Sequence, residues 1–290
     1  YCNDDPIDIS FNTINSGGTT TYSWTNSNSA IGLSNDGTGN INATATNTTN
    51  DAITSTVVVT PSFEGCEGTP RTFTITVNPE PTINNITESV CTGSGLSVTP
   101  SDGTIPQGTT YSWDAPVSSP AGAITGGSSG SDATLISENA LVNTTTAPGV
   151  LTYTVTPTTV DSCAGDPFTV SITVNPLGQL ANPGNQAYCN DDPIDISFNT
   201  NNSGGDTTYS WTNSNSAIAI GLSNAGTGNI DVTATNTTND AITSTVVVTP
   251  SFEGCEGTPQ TFTIIVNPTA GMNDPQDMVV CNAEATSAVA

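Results

Sequence analysis

The sequence lacks the basic side chains on which many binding and catalytic functions depend. Its 290 residues contain no His and no Lys, and the only basic side chain, Arg71, stands against 26 acids, giving a net charge of −25. Nucleic acids and anionic lipids are bound through Lys and Arg, so neither is a predicted partner. Without His or Lys the chain has no usual general base and no Schiff-base amine, which predicts that it is not an enzyme.

The sequence also lacks long apolar runs and the apolar spacing of an amphipathic helix. No run approaches the ~18 apolar residues of a membrane span, so membrane insertion is not expected. Several segments instead alternate strictly between apolar and polar residues. In "TFTITV" (Thr72–Val77) the residues Phe73, Ile75 and Val77 share one face, and "LTYTVT" (Leu151–Thr156) follows the same pattern. A period of two with β-branched residues predicts half-buried strands and an all-β fold.

The sequence is built from repeats. The opening "YCNDDPIDIS" (Tyr1–Ser10) returns unchanged at Tyr188–Ser197, and each repeat ends in "VNP". A period of roughly 90 residues suits one small sandwich domain per repeat. We predict repeat 1 at residues 1–79, repeat 2 at 80–176 and repeat 3 at 177–268, with 269–290 beginning a fourth.

Seven cysteines accompany these repeats. Equivalence between repeats predicts one disulfide in each: Cys2–Cys66, Cys91–Cys163 and Cys189–Cys255. The remaining Cys281 is expected to pair outside this segment. Disulfides indicate an oxidising, exported location, whereas the alternative is buried, reduced thiols. Zinc is not expected, because the chain has neither a CxxC motif nor a His.

Each repeat also carries one tryptophan two positions after a tyrosine, in "TYSWT" or "TYSWD". On a strand this spacing puts both rings on one face. The alternatives are a platform for stacking sugars and a packed core. The occurrence of a single Trp at the equivalent place in every repeat favours the core, so we expect these to be core residues: Trp24, Trp113 and Trp211.

These motifs resemble a known family. "YSWD" followed by "LTYTVTPTT" and "FTVSITVNP" is similar to the PKD-like, immunoglobulin-type repeats of giant Bacteroidetes surface adhesins, including the SprB-like gliding adhesins. The resemblance implies tandem β-sandwiches in an extended rod, export by the type IX system and display as an outer-membrane-attached filament. It further implies a role in surface adhesion and gliding motility.

Acidic residues at two repeat starts are the candidate ligand cluster. They are Asp4, Asp5 and Asp8 in repeat 1, and Asp191, Asp192 and Asp195 in repeat 3. Clustered carboxylates can hold Ca²⁺, the one cofactor considered. However, the spacing is not that of an EF-hand, and repeat 2 has Gly93, Ser94 and Ser97 instead. A solvated, charged domain end is the alternative interpretation.

The sequence therefore predicts a spacer or stalk, stabilised by disulfides, in an extracellular, cell-surface filament. Its partners would be the anchoring or motility machinery of the cell and an external surface or polysaccharide, contacted by parts outside this chain. Two alternatives stay open. The repeats themselves could bind polysaccharide or Ca²⁺, or the chain could be the subunit of a fibre that assembles laterally or end to end.

Overall fold

The structure is a computed structural model that describes residues 1–215, 220–274, 277 and 279. Its contacts divide the chain into two compact units, Tyr1–Pro176, which holds repeats 1 and 2, and Leu177–Ala290, which holds repeat 3. The described residues form 27 strands and one short 3₁₀ helix, which confirms the predicted all-β class. None of the described helices is long and apolar enough to cross a membrane.

Repeat 1 contains one five-stranded sheet faced by a two-stranded one. Its elements are β1 (Pro6–Ile9), β2 (Thr20–Asn26), the 3₁₀ helix (Ser29–Ile31), β3 (Asp36–Thr38), β4 (Ile41–Thr44), β5 (Ile53–Phe63), β6 (Cys66–Glu67) and β7 (Arg71–Val77). The larger sheet runs β3–β2–β5–β6, with β7 beside β6 on the same edge of β5, and β1 pairs with β4. The pairings within both sheets are antiparallel.

Repeat 2 follows the same plan with more short strands. These are β8 (Thr82–Ile83), β9 (Ile86–Cys91), β10 (Leu96–Val98), β11 (Gly103–Thr104), β12 (Thr110–Trp113), β13 (Val117–Ser119), β14 (Ile124–Thr125), β15 (Gly130–Ala133), β16 (Ile136–Glu138), β17 (Val142–Asn143), β18 (Gly149–Thr158) and β19 (Phe168–Asn175). The main sheet runs β15–β12–β18–β19–β9, with β13 also on β18. The small pairs are β10–β16, β8–β11 and β14–β17.

Repeat 3 restates repeat 1 with an added first strand. It contains β20 (Gln186–Cys189), β21 (Pro193–Ile196), β22 (Thr207–Asn213), β23 (Ala225–Thr227), β24 (Ile230–Thr233), β25 (Ile242–Phe252), β26 (Cys255–Glu256) and β27 (Gln260–Asn267). Its sheet runs β20–β27–β25–β22–β23, and β26 lies beside β25, while β21 pairs with β24.

Each repeat has its own hydrophobic core, built from the alternating faces of its strands. In β7 the residues Ile75 and Val77 are buried while Phe73 is partly buried, and in β18 Leu151, Tyr153 and Val155 are all buried. The predicted inward faces of these two strands are therefore correct. The core is assembled by period-two patterning, as expected of half-buried strands.

The segment that carries the first cysteine of each repeat lies parallel to the last strand of that repeat. In repeat 2, β9 pairs with β19 so that Cys91 faces Asn175. In repeat 1, a single parallel bridge joins Cys2 to Asn78. The cysteine at the start of a repeat therefore lies where that repeat ends and the linker to the next repeat begins.

Candidate functional site: the junction between repeats

The structure corrects the predicted disulfides. Cys2 is bonded to Cys163, with their Cα atoms 5.5 Å apart, so the bond joins repeat 1 to repeat 2. The pairings Cys2–Cys66 and Cys91–Cys163 are therefore wrong. Cys189–Cys255 is wrong too, because Cys66 and Cys189 are free, exposed thiols. Cys91 and Cys255 are both disulfide-bonded. Cys281 lies outside the described residues.

The length of β5 explains why Cys2 does not pair with Cys66. Cys2 lies beside Asn78, at the end of β5 where Ile53 faces Val77. Cys66 lies at the other end, where it pairs with Phe63. The 11 residues of β5 separate these ends by roughly 30 Å. A disulfide needs Cα atoms within about 7 Å, so a start cysteine cannot reach the hairpin cysteine of its own repeat.

The linker between repeats packs directly on the hairpin of the following repeat. Pro79 and Pro81 are buried, and a Cβ added to Gly165 would lie 1.8 Å from the carbonyl oxygen of Pro81. Only glycine permits this approach of hairpin and linker. The second linker repeats the contact, since a Cβ on Gly257 would lie 1.7 Å from the carbonyl oxygen of Gly178. The junction between repeats 1 and 2 is therefore a packed contact as well as a covalent one.

Negative charge is concentrated at the same junction. Burial raises the pKa of Glu80 in the linker, and the carboxylates of Asp4, Asp5 and Asp166 raise it further. Asp4 and Asp5 come from the start of repeat 1, and Asp166 comes from the hairpin of repeat 2. The junction thus brings together like charges that the sequence places far apart.

Two of the candidate calcium ligands, Asp5 and Asp192, instead hold the turn at the start of their repeats. The Asp5 carboxylate accepts a 2.7 Å hydrogen bond from the backbone N–H of Cys2, and Asp192 accepts one of the same length from Cys189. Asp4 and Asp191 have left-handed backbones, with φ of 63° and 71°. Across the part of the chain that the structure describes, no three acidic, Cys or His side chains are grouped closely enough to hold a metal ion.

The remaining candidates, Asp8 and Asp195, point away from the core. Asp8 lies on β1 opposite Asn42 and is exposed, as the alternation predicts, and Asp195 lies on β21 opposite Asp231. Repeat 2 forms the same opening turn without acids, since the N–H of Ser94 donates to the carbonyl of Cys91.

A buried asparagine, which sequence reasoning missed, fixes the strand that leads into each linker. The Nδ2 of Asn47 donates to the carbonyl oxygens of Val77 and Asp51, at 2.7 and 2.9 Å. Its Oδ1 accepts from the N–H and the hydroxyl of Thr49. Asn143 and Asn236 make the same set of bonds. The signal was available, because an "NTT" precedes every terminal "VNP".

The three tryptophans are core residues, at 7–8% exposure. In repeats 1 and 2 the predicted disulfide beside the tryptophan is absent, because Cys2 is bonded to Cys163 of the neighbouring repeat. Instead each indole covers a glycine on the adjacent strand, where an added Cβ would lie 2.1–2.4 Å from the ring. The three pairs are Trp24–Gly37, Trp113–Gly130 and Trp211–Gly226.

Comparisons with known proteins agree with this arrangement of repeats. A family model described as a PKD-like domain matches three successive segments, residues 1–81, 88–178 and 186–270. The sequence matches no curated protein.

Similar solved structures are ectodomains and tandem-domain fragments. The human desmocollin-1 ectodomain aligns with a TM-score of 0.36 at 11% identity over 95% of this chain, which spans 61% of that ectodomain. Drosophila N-cadherin EC1-4 gives a TM-score of 0.33 at 12% identity over 93% of this chain and 72% of its own. The I9-I11 tandem from titin gives 0.32 at 11% identity, covering 92% and 95%.

Proposed function

Because the chain belongs to the PKD-like domain family across three tandem repeats, we propose that it is a structural and adhesive segment of an extracellular cell-surface filament. Its role is that of a spacer in which a disulfide locks the junction between repeats 1 and 2. The observation that carries this proposal is the Cys2–Cys163 disulfide, which ties one repeat to the next across the linker. Tandem repeats of this type are typical of extracellular adhesion and structural segments.

The disulfide changes how the chain carries a load. A force applied at Tyr1 and Pro176 passes through the disulfide bond from Cys2 to Cys163. These two cysteines are 161 positions apart in the sequence. Residues 3–162 are bypassed by that path. If they were pulled out, they would add roughly 550 Å of extended chain. The disulfide prevents this extension even if the enclosed sheets unfold.

Single-molecule force spectroscopy tests this role. The chain is pulled between handles at Tyr1 and Pro176, first oxidised and then with a reductant. We expect the oxidised chain to lack the extension of the bypassed residues, and reduction to release it. A Cys163→Ser variant should extend fully without reductant. Full extension of the oxidised wild-type chain would contradict the proposal.

The resemblance to gliding adhesins supports a further assignment to surface attachment and gliding, after export by the type IX system. The chain would hold a distal binding region away from the cell. We expect cells that carry Cys2→Ser and Cys163→Ser to detach under lower shear than wild-type cells, with equal antibody labelling of the repeats on intact cells. Equal detachment at equal labelling would argue against a load-bearing role.

A further inference from the structure

One side of each main sheet faces solvent and carries no charge. Along β2, β5 and β7 of repeat 1, every solvent-facing position except Val58 is Thr or Ser. The equivalent strands of repeat 2 (β12, β18 and β19) and of repeat 3 (β22, β25 and β27) also have no charged residue at these positions. The chain has 26 acids and a net charge of −25. Each repeat therefore presents a neutral face of hydroxyls on a strongly anionic molecule.

In repeat 1 this face contains a groove with a volume of about 430 Å³. Its floor consists of residues that are paired across adjacent strands and point to the same side of the sheet. They form two rows, one made of Thr38, Ser23 and Thr60, and the other made of Thr21, Ser62 and Glu67. We call this surface, with five hydroxyls and one carboxylate, the hydroxyl groove.

The groove recurs in the other repeats. Repeat 3 has the same two rows around a volume of about 590 Å³: Thr227, Ser210 and Thr249, and then Thr208, Ser251 and Glu256. Repeat 2 has a groove of about 570 Å³ on the same side of its sheet, with the carboxylate of Asp114 and these hydroxyls: Ser112, Ser131, Thr152, Thr154 and Thr156. Clefts that bind small ligands have volumes of roughly 300–1,000 Å³.

The polar groups at the centre of the groove are not used by the protein. Within the described residues, the hydroxyls of Ser23 and Thr60 and the carboxylate of Glu67 make no hydrogen bond to another protein group. A hydroxyl both donates and accepts, whereas a carboxylate only accepts. The groove therefore offers donors and acceptors to a ligand that is itself rich in hydroxyls.

Charge and spacing select the ligand class. An anionic glycan would be repelled by the net charge of the chain and by the carboxylate in the groove. Adjacent strands lie about 4.8 Å apart, which is close to the length of one sugar unit in an extended β-linked polysaccharide. A row on three strands can therefore face successive sugar units. A second copy of the chain fits less well, because two negative chains would meet with little apolar area to bury.

We propose that the hydroxyl grooves bind a neutral, extended, β-linked polysaccharide, so that the repeats themselves are adhesive. The grooves supply hydrogen bonds rather than stacking rings, so a single groove binds weakly. A polymer that reaches more than one groove of the chain binds more tightly. This activity goes beyond the spacer role and does not depend on the Cys2–Cys163 disulfide.

Electrophoresis of the full chain in native gels that contain a soluble polysaccharide tests the proposal. We expect hydroxyethylcellulose, which is neutral, to retard the chain in a saturable manner. Carboxymethylcellulose has the same β-linked backbone but carries carboxylates, and we expect it not to retard the chain. This pair of polymers separates recognition of a neutral glycan from general contact with a polymer.

A matched pair of triple variants locates the binding site. Thr60→Val, Thr154→Val and Thr249→Val together remove one hydroxyl from each groove, and we expect the affinity for hydroxyethylcellulose to fall by about five-fold or more. The control combines Thr74→Val, Thr173→Val and Thr263→Val, at solvent-facing positions of the same sheets outside the grooves, and should bind as the wild type does. Thermal melting followed by circular dichroism checks that both variants fold equally well.

Three results would overturn the proposal: no retardation by hydroxyethylcellulose, equal retardation by the neutral and the anionic polymer, or equal affinity of the two triple variants. Sedimentation of the chain alone tests the second copy as the occupant. Self-association that is lost only in the groove variant, without retardation by hydroxyethylcellulose, would assign the face to a second copy and refute binding of a glycan. Retardation of a monomeric chain supports the proposal.

Discussion

The side-chain amide of Asn47 donates a 2.7 Å hydrogen bond to the carbonyl oxygen of Val77 and so joins a loop to the last residue of β7. Val77 is followed at once by Asn78, which pairs with the start of the repeat, and then by the linker. The same bond recurs between Asn143 and Val174. In each case one buried amide therefore ties a loop to the strand end from which the linker leaves.

We expect Asn47→Ala to destabilise repeat 1 by about 1–3 kcal/mol, because the carbonyl of Val77 and the N–H of Thr49 lose their buried partner. Urea unfolding of the full chain measures the change. Asn47→Asp should also destabilise, since a carboxylate cannot donate to Val77. The exposed Asn50→Ala is the matched control. Unchanged unfolding in Asn47→Ala would show that this bond does not hold the strand.

The fold followed from the sequence where local patterning decides it. Alternation predicted that Ile75, Val77 and Tyr153 point inward, and the single Trp of each repeat was predicted to be a core residue. All of them are buried. Alternation of side chains between two faces is a property of a strand by itself, so the apolar face could be assigned without knowing which elements pack on it.

The disulfides could not be predicted in this way. Repeat equivalence tells which cysteines are alike, but it does not tell which of them meet in space. The pairing of Cys2 depends on the length of β5 and on the packing of one repeat on the next. The repeated "NTT" marks the buried asparagines, but the same letters are the pattern of a glycosylation acceptor in an exposed loop, so the motif by itself does not predict burial.

The glycine beneath each indole gives a second prediction. In Gly130→Ala the new methyl carbon would lie 2.4 Å from Cζ2 of Trp113, so the ring must move. We expect a loss of about 1–3 kcal/mol in the free energy of unfolding, with weaker near-ultraviolet circular dichroism from the displaced indole. Gly271→Ala is the control, because no heavy atom lies within 4 Å of the added carbon. Equal stability of the two variants would contradict this packing.

Peptide mapping without reduction checks the junction disulfide. We expect a peptide that contains Cys2 to be recovered joined to one that contains Cys163, while Cys66 and Cys189 are alkylated in the native protein because they are exposed thiols. Cys2→Ser should release the thiol of Cys163. Cys66→Ser should leave the Cys2–Cys163 pair intact, and a recovered Cys2–Cys66 pair would refute the arrangement.

The acids at the junction make its stability depend on pH. Burial and the carboxylates of Asp4, Asp5 and Asp166 raise the pKa of Glu80 in the folded chain, so folding favours its protonated form. The resulting stabilisation is complete below the unfolded pKa and is lost as the pH rises through the raised folded pKa. Glu80→Gln removes the charge. We therefore expect its melting temperature to match that of the wild type near pH 4 and to exceed it at pH 7.

Calorimetric melting at both pH values, in low salt and in high salt, measures this difference. Salt should reduce it, because Glu80 is only partly buried and its like-charged neighbours are screened. Glu88→Gln, at an exposed position on β9, removes the same charge away from the junction and controls for the change in net charge. If Glu80→Gln and Glu88→Gln shift the melting temperature equally at pH 7, the effect comes from the overall charge of the chain. A shift confined to Glu80→Gln locates the repulsion at the contact between repeats 1 and 2, where the linker packs against the hairpin.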